Sequence, residues 1–152
     1  MKVFGYLMAF LLIGGIMGSH SAIAQNSNQY RVVINHEEQY SIWPANRKPQ
    51  KGWRATEISG DRATCQKYIE EVWTDMRPLS IKNMNLPEET EYFVVINHEE
   101  QYSIWPKKLA VPENWKKTEI QGTLYPCVKY IKKVWTDMRP LSIRQGRMER
   151  RN

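Results

Sequence analysis

Few of the chain's histidine, cysteine, acid and hydroxyl side chains stand in patterns that could do chemistry. His36-Glu37-Glu38 and its recurrence, His98-Glu99-Glu100, set an imidazole beside two carboxylates. A zinc site, however, needs three or four converging ligands. The sequence contains no H-E-x-x-H, no G-x-S-x-G and no Gly-rich phosphate loop. The His-Glu-Glu triplets therefore read as solvated turns. Asp75 with Arg77, and Asp137 with Arg139, read as local ion pairs or caps at helix ends. Cys65 and Cys127 read as small buried hydrophobes. The alternative for them, an inter-domain disulfide, requires Cα atoms within about 7 Å. The expectation is a protein that is not an enzyme, with no cofactor and no metal.

Aromatic side chains are the better candidates. The 152 residues include 6 Trp and 8 Tyr, heavy usage for this length. Trp73 and Trp135 fall on an apolar helical stripe and read as core. Trp43, followed by Pro44, closes one strand pattern, and Trp53 opens the next across a loop. A unit of roughly 60 residues has limited room for three buried indoles. Trp43 and Trp53 are therefore expected side by side and partly exposed, as a slot. Two rings of ~200 Å² each, at ~25 cal/mol/Å², offer several kcal/mol gross on burial against a partner. Such a pair behaves as an anchor within a larger interface.

The elements that position these residues occur twice. Tyr30 to Ile81 aligns with Tyr92 to Ile143 at a constant offset of 62, with about 33 of 52 positions identical. Two units are too few for a solenoid, so the chain reads as tandem small domains at 28–82 and 91–145, with a polar linker at 83–90. In each copy, alternating β-branched residues give two strands about a polar turn (Tyr30 to Ile34, Gln39 to Trp43), and Trp53 to Ile58 gives a third. Cys65, Tyr68, Ile69, Val72 and Trp73 then fall at i, i+3, i+4, i+7 and i+8 of a helix. Asp61 and Thr123 are N-cap types ahead of the two helices, and Pro78 and Pro140 are expected to end them. The predicted fold class is α+β: per copy, a three-stranded antiparallel sheet packed on one C-terminal helix.

At this point the motifs resemble a known family. NHEEQYSIWP, then Gly-Trp, then a helix containing C-x-x-Y-I-x-x-V-W-T-D-M-R-P-L-S, is similar to the signature of the MbtH-like proteins. The resemblance implies a noncatalytic module that binds adenylation domains of nonribosomal peptide synthetases and aids their solubility and amino-acid activation. It further implies docking through a serine and two tryptophans that receive a small apolar side chain. By motif position these are Ser41, Trp43 and Trp53, and in the second copy Ser103, Trp105 and Trp115. Two departures stand out. Asn114 replaces the glycine before the second of these tryptophans, and Gln66 takes a position that is usually apolar, where Val128 is closer to type.

Residues 1–24 carry a positive start, an apolar run from Val3 to Met17 and an A-x-A ending, the layout of a secretory signal peptide. The expected location is then periplasmic or secreted, with a mature net charge of +5 beginning at Gln25; the alternative is cytoplasmic. Membrane association is expected only if that segment stays uncleaved. An exported tandem module with an envelope or extracellular partner is the second functional reading. The full chain carries a net charge of +6 and ends in a basic tail at 146–152. Its basic residues do not interleave with exposed aromatics in the pattern, so no nucleic-acid partner is expected.

Overall fold

The computed structural model describes residues 29–146, so the leader reading of residues 1–24 and nearly all of the basic tail lie outside it. Strand β1 (Tyr30–Asn35) and strand β2 (Tyr40–Pro44) form an antiparallel hairpin. Asn35 makes its turn: the side-chain oxygen accepts from the Glu37 and Gln39 amides at 3.0 Å each, while Glu38 takes a positive φ of 54°. Strand β3 (Trp53–Gly60) pairs with the other edge of β1, so the order is β2-β1-β3. The chain from 45 to 52 must therefore cross from one sheet edge to the other. It re-enters through Gly52 at φ 89°. The second copy repeats the design with β4 (Tyr92–Asn97), β5 (Tyr102–Pro106) and β6 (Trp115–Gly122) in the order β5-β4-β6. There Asn114 takes the glycine's role at φ 69°, a conformation that asparagine tolerates better than most residues.

Helix α1 (Arg62–Val72) lies on the face of its sheet that carries Val32 and Ile42, burying Cys65 and Ile69 against them. Asp61 caps it, accepting from the Thr64 amide at 2.7 Å. Its counterpart, Thr123, occupies the same position before α3 (Leu124–Val134) without a side-chain cap bond. The helices do not run on to the prolines. They end at Val72 and Val134, and Pro78 and Pro140 instead open the short helices α2 (Leu79–Lys82) and α4 (Leu141–Arg144). Glu37 explains α2: its carbonyl accepts from the Leu79 amide at 3.0 Å and its carboxylate from the Ser80 amide at 2.9 Å. Glu99 does the same for α4.

Between each long helix and the following short one, the chain leaves its own copy. Met138 lies on β2 of the first copy, where its carbonyl accepts from the Ile42 amide at 3.2 Å and the Ser41 hydroxyl at 2.9 Å. Met76 reciprocally accepts from the Ser103 hydroxyl at 3.3 Å. Trp73 and Trp135 meet edge to face with centroids 5.8 Å apart, flanked by Tyr40 and Tyr102. Buried apolar residues of both copies consequently belong to one cluster, from Val32 through Tyr92 to Met138. A unit of this size rarely gains more than ~3–5 kcal/mol from a core of its own, and the exchange gives the two copies a core in common. Thermal or denaturant unfolding should thus show one transition for both copies. Trp135→Ala should lower the stability of the whole by about 3–5 kcal/mol. Two separate transitions, or loss of the second copy alone, would contradict the shared core.

Candidate functional site

Residues directly opposite one another in an antiparallel sheet share a face. Arg31, Val33 and Asn35 alternate onto the face away from α1. Their partners are Trp43 and Ser41 on β2, and Ala55 and Trp53 on β3. The three residues singled out in the first copy therefore lie on one surface, with Val33 between them. The second copy places Ser103, Trp105 and Trp115 equivalently about Val95.

Within that surface the tryptophans are not side by side. Trp43 stands opposite Arg31 and Trp53 opposite Asn35. They are thus offset by about 13 Å along β1 and about 10 Å across the sheet. The reason is the strand order. The two rings were expected side by side across the loop, but β1 lies between the strands that carry them. In each copy the crossing loop bonds the indole of the tryptophan that precedes it, but the two rings differ in exposure. Trp43 donates its indole N–H to the Lys48 carbonyl at 3.2 Å and is only 5% exposed, deeper than the half-open position expected of it. Trp105 donates to the Ala110 carbonyl at 2.9 Å yet stays half-buried, as do Trp53 and Trp115.

The serines face the seam between the copies. Ser41 and Ser103 are each 1% exposed. Gln101 donates to the Ser41 hydroxyl at 3.5 Å, and Ser41 in turn donates to Met138; Gln39 donates to Ser103 at 3.3 Å, and Ser103 to Met76. Each serine hydroxyl thus donates one hydrogen bond and accepts one across the seam. A cavity of about 10 Å³ lies there, lined by Trp53, Trp73, Trp115 and Trp135 together with Gln39 and Tyr40 and their repeats. Trp53 and Trp115 therefore gather at the seam as well as bordering the outer faces.

The seam is not symmetric. Gln66 is buried and accepts from the Met138 amide at 3.2 Å while donating to the Trp135 carbonyl at 3.4 Å. Arg62 adds a bond to the Thr136 carbonyl at 3.4 Å. The second copy has Val128 and Leu124 at these positions, neither able to do this. The polar residue that departs from the family pattern is thus explained by a backbone it binds in the other copy. Sequence reasoning missed the role of Gln66, and that of Gln39 and Gln101, because their partners lie 60 to 72 residues away.

The titratable groups are structural. His36 is exposed beside Glu37, with Nε2 and Oε1 3.9 Å apart, and Glu37 is occupied with α2. Among the described residues, no three His, Cys, Asp or Glu side chains gather as a metal site. Cys65 and Cys127 are free and buried, and burial pushes both thiols up. Arg77 forks onto Asp75, with Nη2 to Oδ2 at 2.6 Å, and extends Nη1 to the Tyr92 hydroxyl of the second copy at 3.1 Å. Arg139 forks onto Asp137 in the same way and reaches the Tyr30 hydroxyl at 3.0 Å. The expected Asp–Arg pairs are present, and they also serve the seam.

The family model for MbtH-like protein matches the chain twice, over residues 20–85 and 82–147. These matches cover most of the chain, and the protein belongs to the MbtH-like family. It is a tandem of two such domains, each a small α+β unit of the kind associated with nonribosomal peptide synthetases, in a family of noncatalytic accessory proteins.

Burial works against ionisation of Asp75 and Asp137, but the side-chain and backbone hydrogen bonds from Arg77 and Arg139 together outweigh it and hold both carboxyls below the usual range. A carboxyl depressed by folding contributes stability that is complete above its unfolded pKa and lost as the pH falls through its folded value. Stability should accordingly decline below about pH 4. Asp75→Asn with Asp137→Asn should flatten that acid limb and lower stability at neutral pH by about 1–3 kcal/mol, read by urea titration. Gln66→Leu should cost about 1–3 kcal/mol, because it orphans the Met138 amide and Trp135 carbonyl. Val128→Leu should cost less.

Proposed function

We propose that this protein is a noncatalytic partner of a nonribosomal peptide synthetase, binding an adenylation domain through the sheet faces that point away from the helices and aiding its solubility and amino-acid activation. The observation that carries the reading is the shared face. In each copy two tryptophans from different strands bracket a buried valine on the sheet face opposite the one that packs on the long helix. Three of the four rings keep part of their area open. Indoles of ~200 Å² suit the role of anchors in a pocket-and-knob contact. Because the serines are engaged across the seam, the tryptophans rather than the serine hydroxyls would supply the contact.

Residues 1–24 favour a second setting for the same faces, an exported module with an envelope or extracellular partner. An alkaline-phosphatase fusion after Gln25 that stays inactive removes that setting. The main reading is checked by co-expressing the full chain with a tagged adenylation domain. The two should co-purify, and the adenylation domain should be more soluble and more active in amino-acid-dependent pyrophosphate exchange. Trp53→Ala with Trp115→Ala should weaken the complex by about thirtyfold or more, with the fold verified by circular dichroism. Failure to co-purify with any of a panel of adenylation domains would overturn the proposal.

A further inference from the structure

The outer faces of the two copies differ at three neighbouring positions that change together. In the first copy the central strand carries Arg31, and the flanking positions are Ala45 and Ala55; in the second they are Phe93, Lys107 and Lys117. Arg31, the one cation at these three positions in the first copy, has its guanidinium bonded to the carbonyl of Ala45 at the start of the crossing loop. In the second copy two ammonium groups lie against the Phe93 ring, Lys117 Nζ at 4.2 Å from its centroid and Lys107 Nζ at 5.6 Å. Lys107 is balanced by Glu91 at 2.8 Å. Lys117 is exposed and has no ion pair with an acidic side chain among the described residues. A ring face holds a cation in place without neutralising it.

This cation sits between the two indoles. Lys117 is opposite Val95, whose other neighbour is Ser103, while Trp105 flanks Phe93 and Trp115 flanks Asn97. Beside Trp115 an open cavity of about 350 Å³ is lined by Ile96, Asn97, His98, Asn114 and Lys116. Trp105 is half-buried where Trp43 is closed over. The charge of the whole copy leans the same way. Tyr92 to Ile143 has eight Lys and Arg against five Asp and Glu, while Tyr30 to Ile81 has eight against seven.

We infer that the two copies divide the work: the first clasps the exchanged segment of the second, and the second docks an acidic protein segment, seating a carboxylate on Lys117 and an apolar side chain against Trp115. The inference rests on the proposed sheet-face docking but adds which copy acts and what chemistry it selects. The surface offers Lys117 and Lys107 on the Phe93 ring, and at the strand end an open cavity where Trp115 and Ile96 supply the apolar wall among Asn97, His98, Asn114 and Lys116. That suits a few carboxylates around an apolar side chain better than a track of phosphates, which needs cations spread along a groove.

The test is fluorescence anisotropy of the full chain with two labelled peptides, one alternating Glu and Ala around a central Leu, the other with Gln for every Glu. The acidic peptide should bind at least about tenfold more tightly than the neutral one, and more weakly as salt is added. Lys117→Ala should remove about tenfold of that affinity, and Trp115→Ala should weaken both peptides. The charge-matched Lys51→Ala in the first copy should change nothing, and circular dichroism should show every variant folded. Equal affinity for the two peptides, insensitivity to Lys117→Ala, or tighter binding of a single-stranded oligonucleotide than of the acidic peptide would overturn the inference. Acidic-peptide binding that persists where no adenylation domain co-purifies would leave this face standing and remove the synthetase reading alone.

Discussion

The Met138 carbonyl, held between the Ser41 hydroxyl and the Ile42 amide of the other copy, shows the constraint on which the rest depends. A strand edge carries unpaired backbone groups that must be satisfied or covered. Here the edges of β2 and β5 are covered by the chain leaving the helix of the opposite copy. That choice sends Trp73 and Trp135 to the middle of the molecule, where they pack on each other. It also fixes where the serines point and fuses two small cores into one.

The same exchange explains how two copies with a common pattern come to have different surroundings. Once each copy borrows a segment, a substitution in one alters how it holds the other. Gln66 and Arg62 strengthen the hold of the first copy on the second, while Val128 and Leu124 give nothing comparable in return. The outer faces diverged in parallel. Arg31 closes on its own crossing loop, whereas Phe93 supports two lysines. The two halves therefore hold one another through unequal sets of contacts while presenting different outer faces.

Much of the local structure was legible because its causes are local. The hairpin follows from alternation around Asn35 and Asn97, the helix from the stripe through Cys65 and Ile69, and its start from Asp61. Asn114 in place of a glycine was readable as a left-handed turn residue, and it is one. The helix ends were misplaced because a proline was read as a stop for the element before it. Pro78 and Pro140 instead begin the next element, supported by Glu37 and Glu99 from the distant hairpin turns.

The candidate site was legible in composition but not in arrangement. By itself the sequence determined the tandem repeat, the α+β class of each copy and the family, and it singled out the tryptophans on which the proposed docking rests. These rest on residue type and on spacing within about ten positions, which period and turn chemistry encode directly. Tertiary structure decided the rest: that β1 separates Trp43 from Trp53, that the crossing loop closes over Trp43, and that both serines turn toward the seam. It also decided that Lys117 rests on Phe93. Each of these depends on strand order or on pairings 18 to 97 residues apart. Such pairings are selected by the free energy of the whole packed chain, and no local pattern records them.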